Sequence, residues 1–415
     1  MSAAALASRA AAPEDGLLGL TPARVFTPAS LEEAAEVVRE TAGDGTSLTF
    51  VGGGTELELG APPSRLDAVL STRRLGRVVE CSPSDQIVCV EAGLTLAALQ
   101  ETLARNGQRL ALDPPRADRA TIGGLIATNA FGPRRARFGS VRDLLIGVTL
   151  VRADGAIAKG GGKVVKNVAG FDLPKLMVGS LGTLALVADA TFRLHPLPEV
   201  ETTVRIRGLG AADVARIAAD VKAAQIEPTS LAAASRGGTL SFDLAVRFEG
   251  FRAGAFSQRD ALLALGSVKP GAADVLDEPD SGALWADHDA LRTRASLRVK
   301  VAALPSAFPS LAAPLLGPLL GALEDAAVVW YPTLGIAFLA GEVGDLTAAV
   351  RALEHARGEL VRQRGSLVLQ AAPAAVRALV DVWGPAPSAI ALMRATKERL
   401  DPARRLSPGR FVGGI

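Results

Sequence analysis

The stretch Ser47 to Thr55, SLTFVGGGT, has the composition of an anion-binding loop. The stretch predicts an apolar strand that leads directly into three glycines and a threonine hydroxyl. Consecutive glycines lack Cβ and adopt positive φ at low cost, so successive backbone N–H groups can turn toward one anion such as a diphosphate. A glycine-rich surface turn would have the same composition, so the loop alone leaves both interpretations open.

A second stretch, residues 110–144, has the composition of a loop that wraps a ligand. A proline pair fixes an extended entry, a glycine pair permits close backbone approach, and neighbouring hydroxyl and amide side chains supply hydrogen bonds. Six arginines against three aspartates leave a local charge of +3, which suits a phosphate or a carboxylate but is also typical of a solvated basic loop. The residues concerned are Pro114, Pro115, Thr121, Gly123, Gly124, Thr128 and Asn129, the arginines at 116, 119, 134, 135, 137 and 142, and the aspartates at 113, 118 and 143.

Short strands are predicted to position these two loops. Ser30 and Glu33 form a capping box at the start of a helix that feeds the strand before the glycines. Strand-like runs follow at 66–70, 76–81 and 86–93, and then a helix from Thr95 to about Arg105. Because regular alternation of strands and helices is missing and the glycine loop lacks GxGxxG spacing, a Rossmann dinucleotide fold is not predicted. Gly160 to Lys163 likewise lacks the spacing of a phosphate-binding P-loop.

Composition limits the class of protein. The 415 residues exceed the size of a usual single core, so two domains are expected, and 49% hydrophobic residues are enough to form them. A net charge of +2 gives no field to attract nucleic acid or a membrane surface. The two cysteines cannot form a disulfide framework or a four-thiolate cluster, which favours a cytoplasmic protein. The uncharged stretch 301–323 contains four prolines, so it predicts a strand, a loop and a short buried helix instead of a transmembrane helix.

Five motifs in order give a specific resemblance. They are VGGGT, PPRADRATIGGLIATNAFGPRR, RFGSVRDLLIGVTLVRADG, KVVKNVAGFDLPKLMVGSLGTLALV and the closing DPARRLSPGR. Together they resemble the FAD-binding domain of the vanillyl-alcohol oxidase and cresol methylhydroxylase flavoprotein family, and within it the FAD-binding accessory subunits of bacterial glycolate oxidases. The similarity covers roughly residues 25–197 and the last 25 or so.

The resemblance implies which residues hold FAD. In the family the glycine loop cradles the diphosphate, the second loop lies along the cofactor, and a later GTLALV turn also reaches it. Some members attach FAD covalently through a histidine in or just after the glycine loop; VGGGTEL has none, so noncovalent FAD is expected. We also expect Gly53→Val to abolish FAD binding, because a branched side chain would occupy the space of the phosphate and would penalise any positive φ. The implied cofactor-binding residues are Gly52, Gly53, Gly54, Thr55, Asp113, Pro114, Thr121, Gly123, Gly124, Ala127, Thr128, Gly182 and Val187.

The expected architecture is α+β. Residues 1–24 are predicted to be a disordered or frayed tail, 25–199 an FAD-binding domain of the vanillyl-alcohol oxidase type, and 200–388 an α+β cap domain for substrate, with strands and helices over an antiparallel sheet. The remaining residues, 389–415, are expected to return to the FAD domain.

Three functions stay open on the sequence. The favoured one is the FAD-carrying subunit of a glycolate oxidase complex that oxidises a 2-hydroxy acid such as glycolate or D-lactate, with a catalytic flavoprotein and an iron–sulfur subunit as partners and any contact with the inner membrane made through them. The second is a self-sufficient FAD oxidoreductase acting on a hydroxy acid or sugar-like alcohol. The third is a noncatalytic flavin-bearing subunit.

No catalytic base or metal site is predicted. His195, His288 and His355 are each expected to have a surface or linker role. Complete hydroxy-acid dehydrogenases of the family carry an HxGDGN segment with metal-liganding histidines, and this sequence contains none. In the self-sufficient alternative, the substrate would be held by Arg134, Arg135, Lys163 or Lys166. The true substrate, electron acceptor and oligomeric state are not predicted.

Overall fold

The computed structural model describes residues 8–163, 170–269 and 271–415. Its strands in chain order are β1 (Ser8–Ala10), β2 (Arg24–Phe26), β3 (Leu48–Val51), β4 (Ala68–Ser71), β5 (Val78–Ser82), β6 (Ile87–Glu91), β7 (Gln108–Arg109), β8 (Leu145–Val151), β9 (Ile157–Gly161), β10 (Leu186–Arg193), β11 (His195–Pro196), β12 (Val200–Leu209), β13 (Ser230–Arg236), β14 (Phe242–Gly250), β15 (Ala273–Leu276), β16 (Leu297–Ala302), β17 (Leu323–Tyr331), β18 (Ile336–Val343) and β19 (Ser366–Ala371).

The helices in chain order are α1 (Leu31–Gly43), α2 (Leu96–Ala104), α3 (Ile122–Thr128), α4 (Arg135–Phe138), α5 (Val141–Leu144), α6 (Leu173–Met177), α7 (Ala211–Ala223), α8 (Arg252–Leu263), α9 (Asp280–Thr293), α10 (Phe308–Leu311), α11 (Gly317–Gly321), α12 (Leu346–Arg362), α13 (Ala374–Leu379) and α14 (Ile390–Leu400). The chain divides into two units. The first contains the described parts of 1–131, 139–196 and 385–415, and the second contains 132–138 and the described parts of 197–384.

Two principal sheets form the first unit. A four-stranded sheet has the order β1-β2-β4-β3, with β4 parallel to both β2 and β3. An antiparallel sheet has the order β5-β6-β10-β8-β9. The glycine loop leaves the carboxyl end of β3, so the parallel sheet fixes where the loop begins.

Local signals in the sequence explain the first helix. The Ser30 hydroxyl accepts a 3.1 Å hydrogen bond from the backbone N–H of Glu33, which caps α1 at the predicted position. Ala34, Ala35 and Val38 lie on the buried face of this helix.

The expected frayed tail is wrong for residues 8–24. Ser8–Ala10 pair with β2 in antiparallel register, and Leu17 is buried against Val69 in a small apolar cluster. The alanine-rich sequence around residues 8–10 contains no β-branched or aromatic residues, so it gives no local signal for a strand. Pairing with β2 stabilises this strand.

The C-terminal segment completes the first unit. Leu406 forms a parallel bridge to Leu48 of β3, and backbone hydrogen bonds run from Leu48 N–H to Arg405 O at 2.8 Å and from Ser407 N–H to Leu48 O at 3.0 Å. The closing motif therefore lies beside the strand that leads into the glycine loop.

One eight-stranded antiparallel sheet forms the second unit, in the order β15-β12-β14-β13-β17-β18-β16-β19. Alternating residues of its strands, such as Val204, Leu244 and Val328, enter one large core that also includes residues of α7, α8 and α12. Helix α9 places Trp285 and His288 against other strand positions, including Thr203 and Tyr331. Both units mix helices with antiparallel strands, which confirms the predicted α+β class.

The proline-containing apolar stretch is folded within the second unit. It runs from β16 through a loop into α10, a π-helical turn at Ala312–Leu316 and α11, and its leucines at 311, 315, 316, 319 and 320 are buried in the core. Across the described residues, no helix is both long enough and apolar enough to cross a membrane.

Candidate functional site

A cleft in the first unit collects the three predicted ligand-binding segments. Its volume is about 100 Å³, and one side of it is open to solvent. Its wall is formed by residues of β3, the glycine loop, α3 and the turn before β10, and by one residue of the C-terminal segment. The lining residues are Thr49, Phe50, Val51, Gly52, Gly53, Gly54, Thr55, Glu56, Leu57, Thr72, Thr121, Gly123, Gly124, Ala127, Thr128, Ser180, Leu181, Gly182, Ala185, Leu186, Val187 and Arg410.

Glycine is required at positions 52, 53 and 54 of the first loop for two different reasons. Gly54 has φ +75°, a conformation that side chains strongly disfavour. Gly52 and Gly53 have ordinary φ values but no room for a Cβ, which would lie 2.1 Å from Thr121 Oγ1 and 1.7 Å from Arg119 O, respectively. The expected strain from positive φ at Gly53 is therefore wrong, and a side chain there would collide with the protein's own second loop.

Thr121 joins the first loop to the second. Its hydroxyl accepts hydrogen bonds from the N–H of Gly53 at 3.3 Å and from the N–H of Gly124 at 3.4 Å, and the latter caps α3. The three glycine N–H groups of the predicted anion-binding loop are therefore not all available to a ligand, because the Gly53 N–H already donates to Thr121. The segment predicted as an extended wrapping loop also contains the short helices α3, α4 and α5.

The paired glycines of the second loop have separate roles. A Cβ on Gly123 would lie 2.8 Å from the Cβ of Ala92, whereas a Cβ on Gly124 would contact only Thr121 Oγ1, at 3.2 Å. Packing against Ala92 therefore requires glycine at position 123, and Gly124 faces a more open region at the cleft.

The third segment is tied to the second by backbone hydrogen bonds. Leu181 N–H donates to Ala127 O at 2.9 Å, and Gly179 N–H donates to Ile126 O at 2.8 Å. Gly182 has φ +70° and lies against Phe50 of β3. These contacts hold the turn 180–187 against α3, so that both line one cleft.

Most of the residues implied to bind FAD meet at this cleft, and two do not. Asp113 and Pro114 are absent from its wall among the described residues, with Asp113 half-buried and Pro114 buried. Thr49 and Arg410 line the cleft and were missed by the sequence analysis. Arg410 belongs to the quoted SPGR motif, so a sequence signal for it existed; the hydroxyl of Thr49 lies inside an ordinary strand and gives no such signal.

The lining of the cleft is partly polar and partly apolar. Thr49 is only 3% exposed, and its Oγ1 has no hydrogen-bond partner within the described part of the chain, which suits a site for a polar ligand. The glycine loop supplies close backbone approach, and Phe50, Val51 and Leu186 supply apolar wall.

A buried ion pair lies next to the turn that forms part of the cleft wall. Lys397 Nζ donates to Asp401 Oδ2 at 2.6 Å, to Thr183 O at 2.7 Å and to Leu406 O at 2.9 Å. Burial lowers the pKa of Lys397, and the adjacent Asp401 opposes that shift. Since Thr183 lies between two cleft residues, Lys397 fixes the position of the turn that carries Gly182.

The basic residues considered for substrate binding have other partners. Arg134 forms ion pairs with Glu249 and, at 3.5 Å, with Glu201, all within the second unit. Lys163 pairs with Glu80 at 2.5 Å on the surface of the first unit. Arg135 also has an interaction partner, and Lys166 lies outside the described residues.

The histidines differ from one another. His288 is 4% exposed and stacks on Tyr331, so the expected surface role is wrong for it; burial lowers its pKa, and Asp289 opposes the shift. His195 is half-buried in β11, and burial, followed by the charges of Arg193 and Arg109, lowers its pKa. His355 is exposed on α12. No group of three or more His, Cys, Asp or Glu side chains in the described residues could hold a metal ion.

Comparisons with known proteins identify the domain around this cleft. Residues 22–161 match the family model of an FAD binding domain. The sequence is 38% identical over 173 residues to the D-lactate dehydrogenase of Archaeoglobus fulgidus, covering 41% of this chain and 38% of that protein. It is 33% identical over 171 residues to the glycolate oxidase subunit GlcE of Escherichia coli, covering 41% of this chain and 48% of that subunit.

The fold is shared over nearly the whole chain. The structure of p-cresol methylhydroxylase with substrate bound superimposes with a TM-score of 0.74 over 94% of this chain and 88% of that one, at 15% identity. That of alkyldihydroxyacetonephosphate synthase gives a TM-score of 0.71 over 95% and 78%, at 16% identity.

The chain therefore has the fold of p-cresol methylhydroxylase, and its residues 22–161 match an FAD binding domain. Its FAD binding domain includes residues 22–161, and FAD is its cofactor. Curated relatives include glycolate oxidase subunits as well as dehydrogenases of D-lactate and D-2-hydroxyglutarate. The aligned segments span less than half the length of each of these relatives.

Proposed function

We propose that this chain is an FAD-dependent oxidoreductase acting on CH–OH donors, and more specifically the FAD-carrying subunit of a glycolate oxidase complex. The observation that carries the proposal is the cleft formed by the glycine loop, α3 and the turn 180–187, of which the first two lie within the residues that match an FAD binding domain. The substrate class, glycolate or D-lactate, is supported by relatives named as glycolate oxidase subunits and D-lactate dehydrogenase.

We assign the cleft residues to FAD, held noncovalently. Gly54 and Thr55 would bind the diphosphate beside the close approach of Gly53 to the second loop, and Thr121, Gly124, Thr128, Gly182 and Val187 would line the remainder of the cofactor. Bound FAD supplies an acceptor for a hydride from an alcohol carbon. The chain's own contribution is to hold the cofactor in one orientation, through loops whose positions are fixed by Thr121 and Lys397.

The second unit is proposed to be the cap domain, and the partners are proposed to be a catalytic flavoprotein subunit and an iron–sulfur subunit. The similarity to GlcE and GlcD, both named as subunits, supports assembly with other chains. Such a complex would be cytoplasmic, or would meet the inner membrane through its partners.

A self-sufficient oxidoreductase is the second candidate, because the D-lactate dehydrogenase relative is 38% identical over its matched segment. The observed ion pairs of Arg134 and Lys163 weigh against the residues first considered for substrate binding in this candidate. A flavin-bearing subunit without catalysis is the third.

One experiment separates the three. The chain is purified alone and in complex with co-expressed partner subunits, and flavin absorbance is recorded anaerobically before and after addition of glycolate or D-lactate. The subunit proposal predicts bound FAD that is bleached only when partners are present. Bleaching of the isolated chain would establish the second candidate, and bound FAD that is not bleached in either preparation would support the third. A chain that cannot take up FAD would overturn all three.

A further inference from the structure

Arg410 is the cationic side chain on the wall of the cofactor cleft. Among the described lining residues, the only other charged side chain is Glu56. FAD carries two negative charges on its diphosphate. The glycine loop offers only the partial positive charges of its backbone N–H groups to balance them. A cation in this cleft would therefore matter more than one on the open surface, because burial reduces screening by solvent.

The guanidinium of Arg410 is built into the site. It is 4% exposed, and its Nη2 donates to the carbonyl oxygens of Leu57, at 2.8 Å, and Leu59. Both acceptors follow directly after the glycine loop, and Leu57 also lies 3.6 Å from the position of a Cβ on Gly54. The charge of Arg410 is thus held a few residues from the backbone that would receive the diphosphate.

The backbone around Arg410 is fixed as tightly as its side chain. The N–H of Ala61 donates to Arg410 O at 3.0 Å, and the N–H of Ser64 donates to Pro408 O at 2.8 Å. Gly409 has φ +83°, and a Cβ there would lie 3.1 Å from the N atom of Ser64. A rigid cation loses little entropy when an anion binds next to it, which makes the contact more effective.

We propose that Arg410 is a cofactor-binding residue that neutralises the diphosphate of FAD, so that the C-terminal segment supplies the positive charge of the site. This inference rests on the proposed binding of FAD in the cleft and adds a residue from the opposite end of the chain. A planar guanidinium can keep both carbonyl contacts through Nη2 while its charge acts on the phosphate, and a lysine could not keep both contacts in the same geometry.

The test compares FAD dissociation constants at low and high ionic strength, measured by quenching of flavin fluorescence, for the wild type and three variants. Arg410→Gln removes the charge, and Arg410→Lys retains it. Arg404→Gln is the matched control, because Arg404 lies in the same segment but pairs at the surface with Glu398. Unfolding of each FAD-free variant is recorded in parallel.

We expect the dissociation constant of Arg410→Gln to rise about 10-fold to 100-fold at low ionic strength, as for loss of a charge-assisted hydrogen bond. Its affinity should also depend less on salt than that of the wild type, whereas Arg410→Lys should keep most of the salt dependence and Arg404→Gln all of it. An equal loss of affinity at every ionic strength would overturn the proposal, since a purely structural role has that signature; so would wild-type affinity in Arg410→Gln. A wild-type chain that does not bind FAD would overturn the proposed function as well.

Discussion

Gly53 lies so close to Arg119 that a Cβ built on the glycine would be 1.7 Å from the carbonyl oxygen of the arginine. The glycine loop and the second loop are therefore in direct backbone contact at this point. A side chain at position 53 must displace the segment that leads into Thr121, whose hydroxyl accepts from the Gly53 N–H. The relative position of the two loops that line the cleft therefore depends on glycine at position 53.

Gly53→Val is accordingly expected to abolish FAD binding and to lower the free energy of unfolding by about 1–3 kcal/mol or more, as overpacking does elsewhere. Gly43→Val is the matched control, because no atom lies within 4 Å of a Cβ at this last residue of α1. FAD titration and urea unfolding of both variants measure the effect. Tight FAD binding by Gly53→Val would show that the two loops can separate without harm to the site.

The sequence alone identifies the parts of this cleft that are local in the chain. The capped helix α1, the strand before the glycines and the glycine loop itself each have their signal within a few residues. Contacts between distant segments have no such signal. The hydrogen bond from Lys397 to Thr183 joins positions 214 residues apart, and only the folded chain brings them together.

His288 was expected at the surface, but it lies on a buried and partly polar face of α9. Trp285, His288 and Arg292 recur at helical spacing on α9, and all three pack toward the sheet, where Thr203 and Tyr331 receive them. Because two of these three residues are polar and Asp287 and Asp289 flank the histidine, the helix shows no apolar stripe in the sequence. Burial here follows from tertiary packing that periodicity cannot reveal.

Lys397→Met should destabilise the first unit and weaken the hold on the turn that carries Gly182. Lys397 and Asp401 are both buried, and removal of one partner leaves the other charge in a poorly solvated place, at a cost of about 3–5 kcal/mol. The exposed pair of Arg404 and Glu398 supplies the comparison, since Arg404→Gln should change stability by less than about 1 kcal/mol. Equal stabilities in urea unfolding would contradict a supporting role for the buried pair.

Arg134 is expected to support the second unit instead of binding substrate. Its partner Glu249 has a side chain that is only 1% exposed, so Arg134→Met should cost about 3–5 kcal/mol of folding free energy. Arg137→Met is the control, because the pair of Arg137 with Glu227 is exposed and should contribute about 1 kcal/mol or less. Denaturant unfolding distinguishes the two; a stable Arg134→Met protein with a raised KM for glycolate would instead support substrate binding by Arg134.

The buried His288 should make stability depend on pH. Burial, aided by the charges of Arg292 and Arg247 and opposed by Asp289, keeps the pKa of His288 below its usual value of 6.5. The unfolded chain therefore takes up a proton that the native state does not as pH falls below about 6.5, and stability decreases until the lower native pKa is passed, by at most about 1.4 kcal/mol per pH unit for this group.

Urea unfolding between about pH 7.5 and pH 5 measures this decline. His288→Phe keeps an aromatic ring against Tyr331 and should make the decline shallower, although His195, whose pKa burial also lowers, should preserve part of it. His355→Gln, at an exposed position, should follow the wild type. An unchanged pH dependence in His288→Phe would remove His288 as a cause.

The most direct measurement is the flavin stoichiometry of the wild-type chain. FAD-free protein is titrated with FAD, excess cofactor is removed, and the bound flavin is quantified before and after denaturation. The account predicts about one FAD per chain, all of it released into solution when the protein unfolds, because the ligand is held by contacts of the cleft alone. A folded chain that retains no FAD would contradict the central claim that the cleft between the glycine loop and the turn at Gly182 is a cofactor site.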